Sequence, residues 1–151
     1  MKKTLVLGVG NLLLSDDGVG IHAIHHLQKN HVFPEEVQLL DGGTCGLDLL
    51  QFLEGIDRLI IIDAAHMGKP IGTIVRLEGD QITAYLSLKA SPQEINPPEL
   101  LFAAKLSDIY PGEVIVFGVQ PQSIETQIGL TPSVSETFEA LIEQVIAEIF
   151  S

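Results

Sequence analysis

Leu5-Val6-Leu7-Gly8-Val9-Gly10-Asn11-Leu12-Leu13-Leu14-Ser15-Asp16-Asp17-Gly18-Val19-Gly20 runs from an apolar stretch into a glycine turn, then sets two adjacent carboxylates ahead of a helical segment. Leu5-Val6-Leu7 reads as a buried strand, and glycines at its carboxyl end let the backbone turn tightly and approach a ligand. A second apolar run, Leu59-Ile60-Ile61-Ile62, ends in Asp63. Open parallel sheets bind ligands outside the carboxyl ends of their strands. Asp17 and Asp63 are therefore expected at one crevice, although 46 positions separate them.

Strand-like runs alternate with stretches of helical period through the first half of the chain, the pattern of βαβ units around a parallel sheet. The strand Thr4 to Leu7 leads to a helix from about Gly18 to Lys29, with Val19, Ile21, Ile24 and Leu27 as its inward stripe. Val37 to Leu40 follows as a short strand ending in the turn Asp41-Gly42-Gly43-Thr44, and Leu47, Leu50 and Leu53 mark a short helix. Gly72 to Leu77 alternates as a half-buried strand does, of the kind found at an edge. Residues 78 to 98, with Pro92, Pro97 and Pro98, read as an irregular excursion, and Pro98 opens a helix through Leu106. Glu113 to Gly118 is a further buried strand. The last helix is capped by Thr131, has Pro132 at its first position, and carries Val134, Phe138, Leu141, Val145 and Ile149 at helical spacing. These features predict one α/β domain over residues 1–151, with no internal repeat or linker.

Composition narrows the function. The 151 residues match the size of one domain, and 46% hydrophobic residues without a tryptophan call for an aliphatic core. Twenty acidic residues against eight basic ones give a formal charge of −12, which repels phosphate backbones and anionic lipid alike. Neither nucleic acid nor a membrane is an expected partner. The single cysteine, Cys45, excludes an internal disulfide and a cysteine-based zinc site. With neither a signal peptide nor a membrane span after Lys2-Lys3, the expected compartment is the cytoplasm.

The chemistry-bearing residues have competing readings. Asp16 and Asp41 fit turn and helix-start roles, in which aspartate closes an Asx turn or faces the helix dipole. Asp17 and Asp63 converge on the crevice, and paired carboxylates there require a cation or a shared proton. Two oxygen donors do not close a metal site, so a weak or shared ion is expected. His22 and His26, four apart on a helix, have the spacing of a two-imidazole site, or are partly exposed polar residues. His66 follows Asp63 by three residues in the same post-strand loop. Cys45 follows a glycine turn at a helix start, where a thiolate is favoured, yet a small buried apolar role suits a free cysteine as well. Gly8-Val9-Gly10 with Asp41 could begin a dinucleotide fingerprint. The third glycine would fall at Leu13, and Asp16-Asp17 bring negative charge to the pyrophosphate position.

The segment Leu5 to Gly20, the Asp41-Gly42-Gly43-Thr44 turn, the Leu59 to Asp63 strand end, and Gly118-Val119-Gln120-Pro121 followed by Gly129-Leu130-Thr131-Pro132 come in an order that resembles the hydrogenase maturation endopeptidases. The resemblance spans almost the whole chain. It implies a three-layer α/β/α domain with a mostly parallel twisted sheet, which removes a short carboxyl-terminal extension from the large-subunit precursor of a nickel–iron hydrogenase. It also implies that the cleavage follows nickel insertion, with two acids and a histidine recognising nickel that the precursor supplies. The acids correspond to Asp17 and Asp63, in catalytic and metal-binding roles. The histidine position, in Lys89-Ala90-Ser91-Pro92-Gln93-Glu94, is Gln93 here. An amide oxygen binds a borderline metal less well than imidazole does. Gln93 is then a weaker ligand or a hydrogen-bond partner, Glu94 or His66 supplies the missing group, or activity is impaired. With no Ser-His or Cys-His signature, water is the expected nucleophile. A nucleotide-binding α/β protein and a noncatalytic metal-sensing maturation module are the alternative readings.

Overall fold

A computed structural model of the chain describes residues 2–43, 46–86 and 97–151; Thr44, Cys45, Gln93 and Glu94 lie outside the described residues. Five strands, β1 (Thr4–Val9), β2 (Val37–Gly43), β3 (Arg58–Ala64), β4 (Ile74–Glu78) and β5 (Glu113–Val119), form one sheet in the order β2-β1-β3-β5-β4. All pairings are parallel except β4 with β5, which is antiparallel at the edge. β4 is the alternating Gly72 to Leu77 run, and its half-buried pattern reflects a single neighbour strand. The helices are α1 (Val19–Asn30), α2 (Gln81–Leu86), α3 (Pro97–Leu106) and α4 (Pro132–Ile149).

Two-residue periodicity sorts the inner strands onto two covered faces. Val6, Ile60, Ile62, Ile115 and Phe117 pack against α1 and α4 through Ala23, Ile24, Leu27, Leu141 and Val145. Leu5, Leu7, Leu59, Ile61 and Val116 face the opposite layer, where Leu53, Ile82, Tyr85, Leu101 and Ala104 cover them. The three-layer α/β/α arrangement follows. Asp63 keeps the parity of Leu59 and Ile61, so it belongs to the face that α2 covers.

Three local expectations need correction. Part of the stretch taken as irregular, Gln81–Leu86, is helical, because Ile82 and Tyr85 three positions apart both reach the core. The short helix around Leu50 is a 3-10 turn, Gly46–Phe52. Thr131 stands at the amino end of α4 with Pro132 behind it, but its hydroxyl makes no cap; it bonds Asp16 at 2.8 Å.

The amino ends of the strands are tied by charge. Arg58, buried at the start of β3, pairs with Glu113 at 3.3 Å and donates to the backbone carbonyl of Glu148 near the end of α4. Arg76 on β4 binds the Glu148 carboxylate and, at 3.0 Å, Glu78. The Arg76 hydrogen bond, foremost, and the two guanidinium charges hold the Glu148 carboxyl below the usual glutamate range. This cluster lies at the end of the sheet away from Asp63, so its role is to fasten α4 and the edge strand.

Candidate active site

β1 has β2 on one side and β3 on the other, and the chain's path reverses direction across it. Doubly wound sheets place their ligands at such a switch point. After β1, Gly10 takes φ +135°, and a Cβ there would stand 2.0 Å from the carbonyl oxygen of Asp17. Only glycine lets the turn fold back so closely. The next residues form a 3-10 turn, Ser15–Gly18, all four of them buried, and the turn packs against β3. The backbone N–H of Asn11 donates to Oδ2 of Asp17 at 2.9 Å. Gly20, in the first turn of α1, would drive a Cβ to 2.1 Å from the carbonyl oxygen of Ile62. Its lack of a side chain seats the start of α1 on the end of β3, beside Asp63.

Asp63 is fully buried, and the Tyr85 hydroxyl of α2 donates to its Oδ2 at 2.7 Å. Burial, first, and then the charges of Asp63 and of Asp17 push the Tyr85 hydroxyl well above its ordinary pKa. The Tyr85 hydroxyl meets Asp63 directly, and the turn that carries Asp17 packs against the strand that ends beside Asp63. A buried carboxylate pair is costly unless donors or a cation compensate it. Such a site is suited to receive a cation and to take up a proton.

Asp16 holds the surrounding loops. It is fully buried; its Oδ2 accepts from the N–H of Gln122 at 2.9 Å, the N–H of Ser123 at 3.2 Å and the hydroxyl of Thr131 at 2.8 Å, while Oδ1 accepts from the N–H of Thr131 at 2.8 Å. The Ser15 N–H donates to the Gln127 carbonyl at 2.8 Å, and the Gln127 N–H to that of Leu13 at 3.0 Å. The buried Gln120 adds the third loop, its Oε1 accepting from the N–H groups of Met67 at 2.7 Å and Lys69 at 3.4 Å. The loops after β1, β3 and β5 are consequently one connected rim. The turn role read for Asp16 is thus a clamp between distant segments.

The other candidates disperse. His66 is exposed. Among the described residues no three His, Cys, Asp or Glu side chains gather as a metal-holding group, so His66 does not complete a site with Asp17 and Asp63 there. Gln93, Glu94 and Cys45 fall outside the described residues. Asp41 bonds His25 of α1 at 2.7 Å instead of turning to a ribose. His22 has a pKa lowered by burial and, less, by His25, whereas His26 packs edge-on against Phe138 and bonds Asn30. The two imidazoles thus have different surroundings. Asp16 and Asp17 are buried in the turn that would have to cradle a pyrophosphate, an arrangement that repels one.

Tyr85 escaped the sequence reading, which quoted Asn11 and Gln120 within motifs but gave them no role. The available signals were the Ile82–Tyr85 spacing for α2 and, for Gln120, its position just past a buried strand.

Comparison with known proteins places the chain in a family. The hydrogenase maturation protease family model matches residues 21–148. A hydrogenase 2 maturation protease of Escherichia coli K12 is 37% identical over 148 residues, covering 97% of this chain and 90% of that protein. The structure of the hydrogenase maturating endopeptidase HybD from E. coli superposes with a TM-score of 0.90 at 36% identity, covering 97% of this chain and 91% of the other. The [NiFe] hydrogenase maturation protease HybD from Thermococcus kodakarensis superposes with a TM-score of 0.75 at 25% identity over 98% of each chain. The chain therefore belongs to the hydrogenase maturation protease family.

Proposed function

We propose that this chain is an endopeptidase that removes the carboxyl-terminal extension of a nickel–iron hydrogenase large-subunit precursor, with nickel carried by that precursor as the recognition element. The observation that carries the reading is the pair of fully buried carboxylates, Asp17 and Asp63, on a turn and a strand that pack together at the switch point of the sheet. The [NiFe] designation of the Thermococcus relative supports a nickel–iron client. Two carboxylates are too few to hold a divalent ion tightly, so its remaining ligands come from the precursor and from Gln93.

Affinity for the metal-bearing form over the metal-free form then selects the mature substrate. Asp17 and Asp63 would hold the nickel that the client brings, which would supply polarisation of the scissile carbonyl or acidification of a water, and Asp17 or Asp63 would accept the proton. Gln93 stands in this reading as the third polar contact. The reaction belongs in the cytoplasm, where the precursor is made; no helix among the described residues is long and apolar enough to cross a membrane.

Intact-mass measurement of metal-free and nickel-loaded precursor, each mixed with the chain, tests this. Loss of the extension from the loaded sample alone is expected, and Asp17→Asn or Asp63→Asn abolishes it in a protein that keeps its fold. Cleavage of the metal-free precursor, or normal cleavage by either variant, contradicts the reading. Binding of loaded precursor without any cleavage identifies a noncatalytic sensing module instead.

A further inference from the structure

We infer that Tyr85 is a positioning residue of the peptidase reaction: its hydroxyl holds one oxygen of Asp63 and sets the angle at which that carboxylate meets the metal-bearing substrate. The inference rests on the functional reading above and adds a residue to it.

Tyr85 is among the largest fully buried side chains of the described residues, on a helix of six residues that also sends Ile82 to the core. Phenylalanine would fill the same space without burying a hydroxyl, which is unfavourable unless it is bonded. The bond is made, at 2.7 Å, to a carboxylate 22 residues earlier at the end of β3. A carboxylate on a strand end turns about its own torsions, and a site that must meet a metal tolerates only about 10–20° of misalignment. A hydroxyl supplies the restraint while remaining neutral. A lysine or arginine in its place would orient Asp63 equally well but cancel the charge that attracts the cation. The donor chemistry therefore suits a carboxylate that must be both fixed and available, the role that outer hydrogen-bond partners play around metal ligands.

The test uses the full chain and Tyr85→Phe, with Cd²⁺ as the metal probe. Calorimetric titration should show Cd²⁺ binding weakened roughly 10- to 100-fold, and kcat on nickel-loaded precursor should fall by a similar factor with KM nearly unchanged. Ile82→Val, which loosens α2 without touching Asp63, should keep both at wild-type values. In wild-type protein labelled with ¹³C at tyrosine Cζ, only two resonances arise. Cd²⁺ should move that of Tyr85 and leave that of Tyr110 in place, a readout that does not depend on any variant folding. Wild-type affinity and kcat in a Tyr85→Phe protein that merely melts earlier would overturn the inference, as would a Tyr85 resonance unmoved by bound Cd²⁺. Failure of the wild-type chain to cut loaded precursor overturns the functional reading and this inference together. Equal cutting by wild type and Tyr85→Phe overturns the inference alone.

Discussion

Replacing Asp16 by Asn measures how much of the rim depends on one carboxylate. Asp16 accepts four bonds, from the N–H groups of Gln122, Ser123 and Thr131 and from the Thr131 hydroxyl, at 2.8 to 3.2 Å. An asparagine whose oxygen takes the place of Oδ2 keeps three of these as neutral bonds. Its amide then faces the Thr131 N–H, donor against donor. Neutralising the acceptor weakens each retained bond by about 1 kcal/mol, and the orphaned N–H costs about 1–3 kcal/mol more. Relief from burying a charge returns a few kcal/mol. The net loss is about 2–4 kcal/mol. At about 2–4 °C per kcal/mol for a chain of this size, Tm falls by roughly 4–16 °C. Urea unfolding should show the lower midpoint with an unchanged m-value. Thr131→Val, which removes a single bond, should cost about 1–2 kcal/mol. The double variant should fall short of the sum, because the two residues share a bond. Precursor cleavage should slow at temperatures where Asp16→Asn is fully folded, since the turn carrying Asp17 is no longer tied to the loop after β5. An Asp16→Asn protein within about 0.5 kcal/mol of wild type, or strict additivity with Thr131→Val, would refute the clamp.

Glu148→Gln removes the carboxylate that Arg58 and Arg76 share, while Glu113 and Glu78 still pair them, and should cost about 1–2 kcal/mol in urea unfolding. Because the folded Glu148 carboxyl is held below its ordinary value of 4.5, its contribution is present above that pH and is lost as pH falls through the lower folded value. Wild-type Tm should therefore drop in that acid range, and Glu148→Gln should drop less. Gly20→Ala sets a Cβ 2.1 Å from the Ile62 carbonyl oxygen and must lift the start of α1 off β3. A loss of about 2 kcal/mol or more by thermal melting is expected, with cleavage reduced at temperatures where the variant is folded. Gln93→His should preserve or raise kcat/KM on nickel-loaded precursor; a strong decrease would show that the amide has a role of its own.

The strands were readable because both faces of β1, β3 and β5 are covered, which makes their apolar runs continuous and their ends visible as Gly10, Asp63 and Gly118. β4 was readable as an edge for the opposite reason, its alternation. α2 was obscured by its length: it spans six residues, its buried pair Ile82 and Tyr85 is a short signal, and prolines nearby pointed toward loop. Asp17 and Asp63 could be nominated because each closes a recognisable strand-to-loop junction. The work of Asp16 could not be read locally, since its partners lie 106 to 115 residues away, three of the four donors are backbone groups, and the fourth is the hydroxyl of a threonine with a plausible capping role. Tyr85 posed the same difficulty, joined to Asp63 only through the folding of β4 back onto the sheet.

The Asp16 clamp is chemically lopsided. At positions 122 and 123 it engages N–H groups that every residue except proline possesses, so those sites are open to wide sequence drift without loosening the bond. At position 16 it demands a short carboxylate. Saturation mutagenesis of the three positions should yield two permissive columns, each with proline as its gap, beside one that admits almost nothing else.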